Sequence, residues 1–332
     1  CNEKGLRSVP QYLPATITKL KLGYNYITSL RQFDFSKYTK LRELEFDRNQ
    51  ISIVNEQTFS NLAELEMLHL HMNKLTYIQP GTFSGLSHLR DIKLDENQIT
   101  NIEPGTFSNL PGLLLNLRIN KNKIIDIKSG TFADLPLLSH LGLDRNQIRR
   151  IQPGAFSNLP KLGLLDLRQN LLTSIHPDII SIFLPKGRMF LILHDNPWHC
   201  DCRMAALYEF NRKFIPKYQN EKIVCQEPSN LRLKILDDIL PEDLICEEPP
   251  KITSDNTIAQ GEALYLVCEA SGRPPPNILV TLPSGLIASA ESDGRATVGV
   301  DGTITITNVT AADAGQYMCI ASNTAGSASA SV

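Results

Sequence analysis

Eight asparagines, Asn25, Asn49, Asn73, Asn97, Asn122, Asn146, Asn170 and Asn196, stand 24, 24, 24, 25, 24, 24 and 26 residues apart, each at one place in the pattern L-x-x-L-x-L-x-x-N-x-I/L. Self-similarity at one period restricts the chain to a solenoid, because a single repeat buries its apolar edge only against its neighbours. One inserted residue near Leu113 to Leu115 and a longer last turn are the departures from register.

Each position has a physical role. In the second repeat Leu41, Leu44, Phe46 and Ile51 are expected inward, and the alternation of Leu44 and Phe46 marks a short strand in a parallel stack. The asparagine follows the strand where the chain bends, and its amide offers both a donor and an acceptor to unpaired backbone groups of adjacent turns. Ten residues later come Phe35, Phe59, Phe83, Phe107, Phe132 and Phe156, a stacked spine behind the sheet. Pro80-Gly81, Pro104-Gly105 and Pro153-Gly154 turn the chain toward the convex side.

A continuous apolar core needs covers at both ends. Cys1 to Pro14 reads as the remnant of a front cap, and Asn196-Pro197-Trp198-His199-Cys200-Asp201-Cys202 followed by Cys225 and Cys246 reads as a rear one. Of seven cysteines, six fall between Cys200 and Cys319, which points to disulfide-stapled modules in an oxidising compartment. Cys1 is left over, and a half-disulfide at the first residue is expected to have its partner upstream.

The repeat, the Asn-Pro-Trp-x-Cys-x-Cys signature and the two later cysteines resemble an extracellular leucine-rich repeat domain with a C-terminal cysteine-rich cap. The resemblance implies pairing of Cys200 with Cys225 and Cys202 with Cys246, with Trp198, the only tryptophan, closing the core. After Glu247-Glu248-Pro249-Pro250 the composition shifts to Ala, Ser, Thr, Gly and Val. Ala263 to Cys268 and Thr303 to Ile306 alternate as strands, and Asp313-x-Gly315-x-Tyr317-x-Cys319 carries the tyrosine-corner spacing of an immunoglobulin sandwich. Cys268 and Cys319, 51 residues apart, suit its inter-sheet disulfide. This module resembles the intermediate-set immunoglobulin domains of adhesion proteins, with Val280 where that family places a core tryptophan.

The expected fold is therefore an α/β-type leucine-rich repeat solenoid, with short parallel strands and an irregular convex side, followed by an all-β sandwich. The expected segments are a cap remnant at 1–16, repeats at 17–187, the last repeat and cysteine-rich cap at 188–246, a linker at 247–250 and an immunoglobulin-like domain at 251–332.

The 332 residues carry 33 basic and 35 acidic side chains, a net charge of -2, so neither nucleic acid nor anionic lipid is an expected partner. No run reaches the roughly 18 apolar residues of a membrane helix, so no span is expected within the chain, and Cys1-Asn2-Glu3-Lys4 lacks the apolar core of a leader. The motifs G-x-S-x-G, H-E-x-x-H, G-x-G-x-x-G and G-x-x-x-x-G-K are all missing, which removes each positive reason for an enzyme, and no cofactor is expected. His199 with Cys200 and Cys202 could tempt a zinc reading, as could His69 and His71 beside Glu45 and Asp47. Two disulfides and a solvated surface, respectively, are the simpler readings, and no metal is expected.

Recognition should be written in the positions four, two and one residues before each asparagine, which face outward and do not repeat. The candidate ligand-binding residues on this concave face are Tyr24, Asp47, His69, His71, Met72, Lys93, Asp95, Arg118, Asn120, Asp144, Arg145, Asp166 and Arg168. Charges of both signs favour a polar protein ligand. The convex flank, the cap and the immunoglobulin module are the alternative locations. Asn308-Val309-Thr310 is the only N-x-S/T sequon, and Asn308 is the expected glycosylation site.

The combination resembles the ectodomains of the LINGO, LRIG and AMIGO families, which implies a non-enzymatic adhesion or receptor protein, extracellular, at the cell surface or secreted, that binds a protein ligand or a homophilic partner, a homodimer included. The repeats and cap are also similar to variable lymphocyte receptors, which implies innate immune recognition of microbial surfaces. Attachment to a catalytic domain, as in peroxidasin, is the third reading.

Overall fold

The structure, a computed structural model, describes residues 1–108, 110, 112–183, 190–214, 222–246, 248–255, 263–289, 296–299, 303–310 and 313–331. The chain divides into two compact units, Cys1–Leu244 and Ile245–Val332.

In the first unit each repeat contributes one three-residue strand: β1 (Lys19–Lys21), β2 (Glu43–Glu45), β3 (Met67–His69), β4 (Asp91–Lys93), β5 (Asn116–Arg118), β6 (His140–Gly142), β7 (Leu164–Asp166) and β8 (Phe190–Ile192). They form one sheet in chain order, every neighbouring pair parallel. The middle residue of each, from Leu20 and Leu44 to Leu165 and Leu191, is buried in a single core. Behind the sheet, Phe83, Phe107, Phe132 and Phe156 stack with ring centroids 5.7–5.8 Å apart.

The asparagines hold the coil together from within. Asn49 Oδ1 accepts from the Ile27 backbone N–H at 3.1 Å, while its Nδ2 donates to the Leu22 carbonyl of the preceding turn at 2.8 Å and to the Phe46 carbonyl of its own at 3.1 Å. The same three contacts recur at Asn97, at 3.0 Å each. Each of these amides therefore satisfies backbone groups that would otherwise be stranded in the core. Because it also pulls on the carbonyl two residues back, the chain turns sharply, and the residue before each asparagine sits in the left-handed region: Tyr24, Arg48, Met72, Glu96, Lys121, Arg145, Gln169 and Asp195 have φ of 52–57°.

Both ends are covered. At the front the Lys4 and Leu6 N–H groups donate to Asn25 Oδ1 at 3.0 and 2.9 Å, and Tyr38 Oη donates to the Pro10 carbonyl. At the rear Trp198 is fully buried, and its indole N–H donates to the Leu193 carbonyl at 3.2 Å. Cys200 is bonded to Cys225, and Cys202 and Cys246 are each disulfide-bonded. Helix α1 (Pro177–Ser181) lies in the last repeats and α2 (Ala205–Phe214) in the cap. Cys1 is exposed and free. Among the described residues no helix is long and apolar enough to cross a membrane.

Among the described residues the second unit has eight strands: β9 (Glu248–Asp255), β10 (Ala263–Arg273), β11 (Asn277–Thr281), β12 (Ile287–Ser289), β13 (Ala296–Val298), β14 (Thr303–Thr307), β15 (Met318–Asn323) and β16 (Gly326–Ser331). Two antiparallel sheets, β9-β10-β14-β13 and β12-β11-β15-β16, enclose a separate core. Cys268 is bonded to Cys319, and the Tyr317 hydroxyl donates to the Asp313 carbonyl at 2.6 Å, the tyrosine corner read from the sequence. Val280 is fully buried directly opposite Cys319 in the β11–β15 pair, in a core that also draws on Ala288, Val298, Ile304 and Ile306. A small residue thus takes the place of the expected tryptophan among other small and branched ones.

At the expected linker, Glu248, Pro249 and Pro250 begin strand β9, while residue 247 lies outside the described residues. Strand β9 is an edge strand whose register shifts between Glu248 and Lys251, a place where prolines, lacking an N–H, are tolerated.

Candidate functional site

The outward face of the parallel sheet brings the candidate residues into rows. Strand register sets Lys21, Glu45, His69, Lys93, Arg118, Gly142 and Asp166 side by side. Strand neighbours of this kind lie about 4.8 Å apart. Two residues farther on, Asp47, His71, Asp95, Asn120, Asp144 and Arg168 make a second row.

Tyr24, Met72 and Arg145, read from the sequence as strand positions, lie beyond the strands in the left-handed turns. The strands end four residues before each asparagine, and its amide bends the chain between the two. These three therefore line a ridge along one margin of the sheet. Tyr24 is 49% exposed, and the Arg48 guanidinium stands 5.1 Å from its ring centroid. Arg145 donates from Nε to Gln169 Oε1 at 2.6 Å, which links it to the next repeat.

His69, Asp144 and Asp166 are buried, so of the pair read as part of a solvated surface His69 is covered and His71 is half-buried. Asp166 accepts from the Arg168 backbone N–H at 3.1 Å and faces the Arg168 guanidinium at 3.2 Å. His69 Nε2 faces Asp91 Oδ1 at 3.3 Å without a well-aligned hydrogen bond, and the His71 ring meets the His69 ring edge-on at 5.9 Å. Among the described residues, no group of three histidines, cysteines or carboxylates could hold a metal ion.

Burial shapes the electrostatics. It pushes the Asp95 carboxyl above its ordinary value, although the Asn120 backbone N–H donates to it at 3.0 Å and Arg118 lies near. It pushes His71 down, with Asp47 opposing. At Asp91 burial pushes upward too, but the polar contact and charge of His69, with Lys93 and Asn116 beside them, outweigh it and hold this carboxyl low. Arg118 is exposed, and Lys93, Asp47 and His71 are half-buried, so the centre of the face offers cations and anions within one patch.

Many other charges are already spent between repeats. Lys19 bonds Glu43 at 2.6 Å, Lys21 bonds Glu45 at 2.9 Å and Lys121 bonds Glu96 at 2.6 Å, each joining one turn to the next. Two positions were not singled out in the sequence. Gly142 leaves a gap in the first row that the Asn120 side chain occupies, since a Cβ there would meet Asn120 Oδ1 at 2.3 Å. Asp91 belongs to a further outward column, six residues before the asparagine. A glycine at an outward strand position and a fourth non-repeating column were the signals. Asn308 is exposed in the turn after β14.

Leucine-rich repeat models match residues 15–75, 63–121 and 113–172, and an immunoglobulin domain model matches 249–323. The human leucine-rich repeat and immunoglobulin-like domain-containing nogo receptor-interacting protein 1 is 34% identical over 143 residues, 41% of this chain and 23% of that protein. The leucine-rich repeat and fibronectin type III domain-containing protein 1 of Rattus norvegicus is 32% identical over 184 residues, 52% of this chain and 23% of that protein. The match thus spans about a quarter of these relatives' length. A chain in the octameric complex of latrophilin 3, Unc5D and FLRT2 aligns with a TM-score of 0.54 at 27% identity, over 70% of this chain and 78% of that one. Human trophoblast glycoprotein, at 24% identity and a TM-score of 0.61 over 74% of this chain and 93% of its own, shares the fold. None of these names describes an enzyme. With repeat matches over residues 15–172 of its first unit and an immunoglobulin match over 249–323 of its second, the chain joins leucine-rich repeats to an immunoglobulin domain.

Proposed function

We propose that this chain is a non-enzymatic, protein-binding ectodomain of a cell-surface or secreted adhesion or receptor protein, and that the outward face of its parallel sheet, with the adjoining turn ridge, recognises the partner. The observation that carries the reading is the contrast between columns. Inward positions repeat as Leu or Ile, while the outward rows place Glu45, His69, Lys93 and Arg118 side by side on one fixed backbone frame. A frame tied at every turn loses little freedom on binding, and non-repeating side chains on it can discriminate. Exposed Arg118 and Arg145 supply planar donors for carboxylates of a protein partner, and Tyr24 and Met72 supply apolar contact. The relatives point the same way: one is named for interaction with a receptor, and a structural neighbour lies in a multiprotein complex with Unc5D and latrophilin 3. The closed disulfides fit an extracellular setting. Among the sources of a partner, a second copy is the simplest to test.

The experiment is light scattering over a concentration series for the homophilic arm, and binding to a panel of cell-surface ectodomains on beads for the heterophilic arm. Arg118→Glu with Arg145→Glu is expected to abolish whichever association is seen while melting stays unchanged, since exposed charges contribute little to folding. Full binding by the double variant would move the site away from this face.

A further inference from the structure

A cleft of about 670 Å³ opens where the segments that follow Asn146 and Asn170 meet the C-terminal cap. It lies away from the sheet face and is lined by different residues. Its apolar part comes from Ile151, Pro153, Ile175, Pro177 and Ala206, and Ile175 is buried. Its charged part comes from three arginines, Arg149, Arg150 and Arg203, and none of the lining residues is acidic.

The three arginines are not equivalent. Arg150 is held from outside the cleft by Asp126, with Nε to Oδ1 at 3.1 Å and Nη2 to Oδ2 at 3.2 Å. Arg203 is clamped in the same way by Asp201, at 3.0 Å from Nε to Oδ1 and 2.6 Å from Nη2 to Oδ2. Each of those two charges is thus paired with a carboxylate. Arg149 is exposed and pairs with no carboxylate among the described residues. The first turn of α2 supplies Ala205 and Ala206 to the wall.

The volume falls within the roughly 300–1,000 Å³ typical of ligand pockets, enough for a few residues of peptide. We propose that this cleft binds a short peptide segment of a partner protein in which a branched aliphatic side chain seats on Ile151, Ile175 and Ala206 and a flanking carboxylate pairs with Arg149. A guanidinium matches a carboxylate in a planar fork, and the apolar floor beside it selects an aliphatic neighbour. A nucleic acid does not fit, because only one cation is uncommitted and the whole chain carries a net charge of -2. A fatty acyl chain does not fit either, since the apolar floor holds one or two side chains and is bounded by charge.

The probe is acetyl-Glu-Leu-Glu-amide titrated into the intact chain and followed by ligand-observed NMR. The controls are acetyl-Gln-Leu-Gln-amide and acetyl-Glu-Gly-Glu-amide. Saturable binding of the first peptide is expected, about tenfold weaker for each control and for Arg149→Gln. Ala206→Trp, which fills the cleft, should abolish it with the melting profile retained. If Ala206→Trp does not fold, Arg149→Gln, a change at an exposed side chain, decides with the two control peptides. Equal binding of the Glu and Gln peptides, unchanged binding by Arg149→Gln, or no saturable binding at all would overturn the proposal. Because the sheet-face double variant leaves this cleft intact, the failure of either site is read separately from the other.

Discussion

In the repeat unit one side-chain device recurs at every turn, whereas in the immunoglobulin unit, among the described residues, the covalent tie between the two sheets is Cys268–Cys319. The asparagines, from Asn25 to Asn196, each join neighbouring turns, and the phenylalanines stack behind them. Charged pairs such as Lys19–Glu43 and Arg150–Asp126 add further ties from one repeat to the next. Cohesion in the first unit is thus local and distributed. In the second, non-repeating features do the joining: a shared core, a long-range covalent link, the corner from Tyr317 to Asp313, and a hydrogen bond from Asn323 to the Glu248 carbonyl. A distributed scaffold tolerates varied outward residues, because no single outward side chain holds it together. That is the physical basis for a recognition face on the repeats.

The sharpest way to break the comparison is to remove the covalent link. Replacing Cys268 and Cys319 together by alanine should destabilise the second unit by about 4 kcal/mol, the chain-entropy value for a loop of that length. Calorimetry of the intact chain is expected to show the transition of the immunoglobulin unit falling sharply while that of the repeat unit stays in place. A shift of both transitions together would mean that the two units unfold as one.

Much of this contrast is legible in the sequence, and for a simple reason. A solenoid writes its core as a period, so Leu44, Asn49 and Phe59 are recognised by their equivalents one turn away, and the tyrosine corner is a local spacing. Non-repeating features are harder to read. The burial of His69, Asp144 and Asp166 depends on the size of residues one strand over, and the left-handed turn of Met72 depends on hydrogen bonds from the next residue. The cleft at Arg149 forms only when the cap folds against two repeats, and no single segment of sequence carries that. Binding surfaces are made of such non-equivalent neighbours, which is why the frame is easier to derive than the site.

A middle-sized test acts on one link of the ladder. Asn97→Ala removes an acceptor for the Leu75 N–H and donors to the Leu70 and Leu94 carbonyls, all buried. Stranding such groups costs roughly 1–3 kcal/mol in total where neighbouring turns relax around the gap. The repeat transition should fall and broaden, and the immunoglobulin transition should not move. If Asn97→Ala melts like the parent, water replaces the amide and the ladder is not a buried device.

The smallest effect sharpens the comparison at the sheet face itself. Burial raises the folded-state pKa of Asp95 above the ordinary 3.8, so at low pH both the folded and unfolded chains carry it protonated. As pH rises, the unfolded chain ionises first, and the stability associated with the neutral carboxyl is lost as pH passes through the raised folded value. Asp95→Asn keeps an acceptor for the Asn120 N–H and removes the buried charge. It should raise the repeat melting temperature near neutrality and give no gain at about pH 3, below the ordinary carboxylate range. Asp91 is the opposite case on the neighbouring strand. Burial opposes its ionisation, yet His69, Lys93 and Asn116 together depress its folded pKa, so its contribution is present near neutrality and is lost as pH falls through that depressed value. Asp91→Asn should therefore lower the melting temperature near neutrality and converge with the parent in acid. Melting curves for both variants at the two pH values decide the matter: the same sign for both near neutrality would show that the pairing of His69 with Asp91 does not distinguish these two carboxylates.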